Sequence, residues 1–200
     1  MLEIVASGPR LRLLRYLSAH EGPYTGRQLA RAVRLDPKSA SVALRHLIDG
    51  GVVQRRRAGR AYLYSLDRES YLVHEVLLPA FLKERNWQKT LGSEVQALIG
   101  AGVESIILYG SWARRQAGPR SDIDLLIVTN GRRSKAAIED GLSSHRTHFM
   151  ARFRHVPSFL ILPRQEFRTR LRRGDPLVRE IVEQGQVLTG KTISELAAHA

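Results

Sequence analysis

The sequence contains no cysteine. That excludes disulfide staples, thiolate metal sites and a thiol nucleophile. Long apolar runs are also missing. No stretch approaches the roughly 20 residues that a membrane span needs, because Arg, Lys or Glu interrupts each one. The opening segment MLEIVASGPR lacks the basic-then-apolar pattern of a secretory signal, so a cytoplasmic location without a membrane partner is expected. Negative charge is scarce as well: 19 Asp/Glu face 32 Lys/Arg, for a net charge of +13. The excess is shared along the chain, with 13 basic against 6 acidic residues in 1–70 and 19 against 13 in the remainder. A surface of this sign attracts polyanions by releasing their condensed counterions, without choosing between DNA, RNA and nucleotide phosphates. An ordinary apolar share of 43% in 200 residues suits a folded chain of one large domain or two small ones.

The first seventy residues carry three helical patterns and then a ribbon. Leu11, Leu13, Leu14 and Leu17 line one face of a helix from about Pro9 to Ala19, which Gly22-Pro23 ends. Thr25 is placed to cap a second helix, Gly26 to Val33, burying Leu29, Ala30 and Val33. Asp36-Pro37 then forms a cap and first-turn pair. The helix it starts has Ala40, Ala43, Leu44, Leu47 and Ile48 on its apolar stripe, with Lys38, Ser39, Ser41, Val42 and Arg45 largely off it. After Asp49-Gly50-Gly51, residues 52–57 and 61–66 alternate as strands around Ala58-Gly59-Arg60.

Three helices followed by a basic hairpin resemble the winged helix-turn-helix regulators of bacteria and archaea. The resemblance spans about residues 8–67. It implies that the third helix enters the major groove of double-stranded DNA with Lys38, Ser39, Ser41 and Arg45. It also implies that Arg55, Arg56, Arg57 and Arg60 contact backbone phosphates or the minor groove. Transcription regulation is the role this half would serve.

From Ser70 to Gly100 the pattern is helical, with Pro79 expected to kink or split it. No Ser/Gly-rich linker is present, so the segment is expected to pack rather than swing. His74, Leu77, Leu78 and Phe81 are candidates for a homodimer surface, with packing inside the chain as the equal alternative.

Residues 104–128 carry the chemistry. Glu104 to Tyr109 has the composition of a buried strand and ends at Gly110-Ser111; a short helical piece and the turn Gly118-Pro119-Arg120-Ser121 follow. Asp122 to Val128 is a second strand, and its two aspartates, Asp122 and Asp124, are two positions apart and so share one side. Carboxylates held that close repel unless a cation lies between them, and Mg²⁺ takes carboxylate and phosphate oxygens together. Gly110 lets the backbone approach a phosphate, and Ser111 adds a hydroxyl at a helix start.

Strand, Gly-Ser, a ten-residue gap, Asp-x-Asp and strand resemble the polymerase-beta-type nucleotidyltransferase superfamily, in particular its minimal members. The likeness covers about residues 90–190, including a closing helix and strand from Gly174 to Gly190. It implies that Gly110 and Ser111 bind the triphosphate of an NTP and that Asp122 and Asp124 act as Mg²⁺ ligands and catalytic residues. The implied reaction is attack of an acceptor hydroxyl on the α-phosphate. Arg114, Arg115 and Arg120 are near enough in sequence to neutralise phosphate charge, or simply form a solvated loop. A protein partner of the toxin–antitoxin type belongs to the same implication.

Active members carry a third carboxylate on a later strand. The matching segment here, Val156 to Leu162, has no Asp or Glu, and Pro157 or Ser158 stands at the expected position. Pro157 further suggests a strand that begins late or lies at an edge. His155 is the nearest alternative proton acceptor, although a lone histidine beside a strand is more often structural. Glu166 reads as a first-turn helix residue. Two functions therefore stay open: nucleoside monophosphate transfer by a DNA-binding enzyme, or a winged-helix regulator whose degenerate transferase-like domain senses nucleotide or dimerises. The expected class is α+β, with a winged helix in 1–69, connecting helices in 70–100 and a nucleotidyltransferase-like domain in 101–200.

Overall fold

The computed structural model describes residues 2–131 and 135–198. The chain divides into two compact units, Met1–Asn86 and Trp87–Ala200. The helical segment 70–100 is thus shared between the two.

In the first unit, α1 spans Gly8–Ala19, opened by Ser7, whose hydroxyl accepts from the Arg10 N–H. A two-residue strand β1 (Tyr24–Thr25) leads into α2 (Gly26–Ala32), where Thr25 and Gln28 form a reciprocal capping box. α3 (Pro37–Asp49) starts at Asp36, whose carboxylate takes the Ser39 N–H at 2.9 Å. β2 (Val53–Ala58) and β3 (Ala61–Leu66) form the antiparallel ribbon, and β1 adds to β3 to give the order β1-β3-β2. β1 is too short to carry a periodicity, and the sequence pattern passes over it. Leu13, Leu14, Leu17, Leu29, Leu44, Leu47 and Val52 fill one core. Three helices closed by a ribbon constitute a winged helix.

The chain then continues through a π-helical turn, Leu72–Leu77, into α4 (Leu78–Arg85), with Pro79 in its first turn. This segment decides between the two packings left open for it, in favour of the chain's own core. Leu77 and Phe81 are 5% and 6% exposed and belong to the first unit's core, with Leu78 packed against it. Arg15 on α1 forks onto Glu84 at 2.8 and 2.6 Å, and Arg85 donates to Ser18 Oγ at 3.0 Å. Of the four residues, His74 alone is exposed, beside Glu75. Apolar spacing reveals that a helix face is buried and not which chain buries it.

The second unit begins with α5 (Trp87–Ile99) and continues as β4 (Val103–Tyr109), α6 (Gly110–Ala113), β5 (Ile123–Thr129), α7 (Lys135–Ser144) and α8 (Arg146–Phe153). It closes with β6 (Pro157–Pro163), α9 (Arg164–Arg172), α10 (Pro176–Gln184), β7 (Gln186–Gly190) and α11 (Ile193–Ala197). The strands form one sheet in the order β6-β5-β4-β7; β5 and β6 are parallel, and β4 is antiparallel to both its neighbours. β6 starts at Pro157 and lies at the edge, where a residue without an N–H is tolerated.

Helices cover both faces, so the central strands are apolar on both sides. Ile106, Leu108, Leu125, Ile127 and Ile161 pack with Leu91, Val95, Ile138, Leu142 and Phe149 from α5, α7 and α8. Ile107, Leu126, Val128 and Leu162 pack the other way with Phe167, Val178, Ile181 and Leu196. The two-residue period therefore assigns Tyr109, Asp124 and Ser158 to the α9–α10 side. Among the described residues, no helix is long and apolar enough to cross a membrane.

Candidate functional site

The end of β4 brings the Gly-Ser pair against the Asp-x-Asp segment. Tyr109 stands opposite Asp124 in the β4–β5 register. Gly110 follows with φ 67°, a left-handed conformation that side chains disfavour. A Cβ at Gly110 would lie 2.5 Å from Asp124 Oδ2, so a side chain there would also force that carboxylate to shift. Ser111 is half-buried in the first turn of α6. β5 begins at Ile123, one residue later than expected, which leaves Asp122 exposed just ahead of it and Asp124 half-buried within it.

The charges of this site act on one another. Burial holds the Asp124 carboxyl above the ordinary carboxylate range, and the Asp122 charge adds to the effect; a hydrogen bond from Ser158 and the charge of Arg114 oppose it. Burial also pushes the Tyr109 hydroxyl up, helped by the charges of Asp124 and Glu180.

The strand register separates the two positions named for the third acid. Ser158 pairs with Asp124, whereas Pro157 pairs with Ile123. Ser158 is thereby the residue level with the second aspartate, and its hydroxyl acts to lower that carboxyl's pKa. His155 accounts for itself structurally: Nδ1 lies 2.9 Å from the Ser121 carbonyl, and its ring stands edge-on to Trp112 at 4.8 Å between centroids.

Sequence reasoning missed Glu180. It sits on α10, which packs on both α6 and β4, and its carboxylate pairs with Arg114 Nη1 at the end of α6. No local signal marks it, since a glutamate between the buried Val178 and Ile181 looks like any helix-surface acid.

Among the described residues, no group of three or more His, Cys, Asp or Glu side chains is arranged to hold a metal. Two interacting carboxylates beside a side-chain-free approach at Gly110 do fit Mg²⁺, which usually takes one or two carboxylates and completes its shell with water and phosphate oxygens. Asp122 and Ser158 also border a cleft of about 550 Å³ lined further by Glu139, Arg146 and Phe159.

On the first unit, Lys38, Ser41 and Arg45 are exposed along α3 at helical spacing, with Val42 47% exposed among them. Ser39 is half-buried, and its N–H is committed to the Asp36 cap. Arg55, Arg56, Arg57 and Arg60 are all exposed. Within β2 the strand period turns Arg55 and Arg57 to one side of the ribbon and Arg56 to the other. Arg55 lies over the Tyr62 ring at 4.6 Å, and Arg57 Nε donates to the Gly59 carbonyl at 3.2 Å.

The family model described as "Nucleotidyltransferase domain" matches residues 89–188. The chain belongs to the nucleotidyltransferase domain family. The match spans α5 to β7, so all four residues of the Gly-Ser and Asp-x-Asp site lie inside the nucleotidyltransferase domain. A comparison with curated proteins found no match. Among solved structures, the chain is similar to the homodimeric winged helix-turn-helix DNA-binding domain of a possible ArsR-family transcriptional regulator from Mycobacterium bovis. That similarity is 26% identity over 42% of this chain and 69% of the other, with a TM-score of 0.33. It is also similar to a chain of a toxin–antitoxin structure with AMP-PNP, at 15% identity over 55% and 80% of the two chains, TM-score 0.40. A third similarity is to a chain of the complex between tri-AMPylated Shewanella oneidensis HEPN toxin and MNT antitoxin, at 14% identity over 56% and 80%, TM-score 0.37.

Proposed function

We propose that this protein binds DNA through its winged helix and a nucleoside triphosphate with Mg²⁺ through its nucleotidyltransferase domain. The observation that carries the second part is the placement of Gly110 beside Asp124, where a Cβ would lie 2.5 Å from Oδ2, because it joins a phosphate-approachable backbone to the carboxylate pair at one sheet end. In this reading Gly110 and Ser111 hold the phosphates, and Asp122 and Asp124 hold the ion. When bound, Mg²⁺ would neutralise charge on the phosphoryl oxygens.

Transfer of a nucleoside monophosphate to a hydroxyl acceptor needs a group to take the hydroxyl proton. Ser158 beside Asp124 is no such base at neutral pH, and losing a general base costs about 10²–10⁴-fold in rate. That specific position favours the second reading, in which the domain senses nucleotide for a DNA-binding regulator. DNA contact falls to Lys38, Ser39, Ser41 and Arg45 on α3 and to the wing arginines, for which the exposure of seven of these eight residues is the support. Pairing with a second copy or with a toxin–antitoxin-type protein belongs to the same proposal, and its measure is the mass of the purified protein and of its complexes.

The deciding experiment incubates the full chain with each labelled NTP and Mg²⁺, alongside Asp122→Asn/Asp124→Asn, with a cell lysate as acceptor source. Label transfer abolished by the double substitution supports the enzyme. Nucleotide binding without transfer supports the sensor. Transfer that survives the double substitution removes the assigned site.

A further inference from the structure

Resting on the nucleotide reading above, with Arg114 among the phosphate contacts it implies, we infer that Glu180 holds the Arg114 guanidinium as an internal anion until nucleotide replaces it. Three arginines follow the Gly-Ser pair, at 114, 115 and 120. Arg114 stands apart because it ends the four-residue segment that Gly110 and Ser111 begin. Its backbone N–H also donates to the Gly110 carbonyl at 3.2 Å, which ties it to the glycine of that pair. The helix that carries Glu180 packs on both α6 and β4, so the Arg114–Glu180 pair stands at the strand end where Gly110 meets Asp124.

Glu180 closes the arrangement from α10. Its carboxylate accepts from the Arg114 Nη1. The pair is open to solvent, with the two side chains 35% and 37% exposed. Ion pairs this exposed are weak. A triphosphate brings more negative charge than one carboxylate, and its oxygens match the guanidinium fork. It would outcompete Glu180 for Arg114, and Asp122 and Asp124 would hold the cation that accompanies it.

The competing explanation is a structural brace: Arg114 and Glu180 fix α6 onto α10, so both substitutions disturb the site alike. The two explanations differ in sign. The test is calorimetric titration of the full chain with a non-hydrolysable nucleoside triphosphate analogue in Mg²⁺, repeated with the monophosphate. Arg114→Ala is expected to weaken triphosphate binding about 10-fold, as for loss of a charged hydrogen-bond pair, and to leave the monophosphate nearly unaffected. Glu180→Gln is expected to tighten triphosphate binding by about 2- to 5-fold, the worth of one exposed pair.

The double variant decides the mechanism: the gain from Glu180→Gln should vanish in the Arg114→Ala background. A gain that persists there means simple repulsion between Glu180 and the ligand and overturns the inference. Weakening by both single substitutions, or no change from either, overturns it in favour of the brace. If Arg114→Ala unfolds the domain, Arg114→Lys keeps the charge without the fork and is expected to show an intermediate loss. Failure of the wild-type chain to bind the analogue, or unchanged binding by Asp122→Asn/Asp124→Asn, defeats the nucleotide reading itself, and the inference falls with it.

Discussion

The two units use a similar surplus of arginine in different ways. In the winged helix, Arg55, Arg56, Arg57 and Arg60 stand exposed on a ribbon, without a carboxylate partner among the described residues. In the nucleotidyltransferase domain, several arginines are engaged within the fold. Arg114 pairs with Glu180, Arg152 with Glu94 and Arg170 with Glu166; Arg164 and Arg168 donate to carbonyls of α11. Formal charge therefore understates the contrast. Exposed cations on the wing are available to a polyanion, whereas these five in the second unit join its helices to one another or to themselves. A regulator that touches DNA with one unit and a single nucleotide with the other would need that division.

The largest effect expected from separating the two sites comes from Asp122→Asn/Asp124→Asn. Removing both carboxylates should weaken Mg²⁺–triphosphate binding by roughly 100-fold or more while leaving DNA affinity intact. Calorimetry and a mobility-shift titration on the same preparations test this, and a parallel loss of DNA binding would break the division of labour. The mirror experiment is Arg55→Ala/Arg56→Ala/Arg57→Ala. It should reduce the slope of log affinity against log salt by about 3, costing roughly 10- to 100-fold in DNA affinity at moderate salt with nucleotide binding unchanged. An unaltered slope would remove the wing from the DNA-binding surface.

A smaller, purely structural effect is expected from Gly110→Ala. The new Cβ meets Asp124 Oδ2 in a backbone with positive φ, so the second unit should lose about 1–3 kcal/mol. Differential scanning calorimetry should show that loss in the transition of the second unit. A loss confined to the first unit's transition would contradict the geometry.

The smallest effect concerns Asp124 alone. Its carboxyl is held above the ordinary range, chiefly by burial, so the folded protein binds that proton more tightly than the unfolded chain. The associated stability is full below the ordinary carboxylate range and is lost as pH rises through the raised value. At neutral pH without a cation, Asp124→Asn should therefore stabilise the second unit. The gain should be under about 1 kcal/mol, given the solvent screening of a half-exposed group, and should fade as pH falls. Mg²⁺ should narrow the difference by stabilising the wild type. Equal thermal midpoints at all pH values would show that Asp124 carries no such burden.

Much of this was legible in local patterns. Asp36-Pro37, Thr25 and the apolar stripes placed α1 to α3 within a residue or two, because caps and periodicity are written in adjacent positions. The Gly-Ser and Asp-x-Asp spacing likewise placed β4, α6 and β5. Three features were out of reach. The buried face of Leu77 and Phe81 has the same spacing whether it meets its own core or a partner. The choice between Pro157 and Ser158 is a matter of register between strands more than thirty residues apart. Glu180 reaches Arg114 across 66 residues, through the packing of α10 on α6.

By itself, then, the sequence determined that two units would form, that one would be a winged helix with an arginine-rich ribbon, and that Gly110, Ser111, Asp122 and Asp124 would lie at neighbouring strand ends. Backbone preference, hydrophobic period and charge act over a few residues, and they suffice for that. Only the tertiary structure decided that Ser158 stands level with Asp124, that a side chain at Gly110 would meet the Asp124 carboxylate as well as an unfavourable φ, and that Glu180 pairs with Arg114. Each of these depends on which distant segments share a strand register or a helix contact, and that choice is made by burying two faces of one sheet at once.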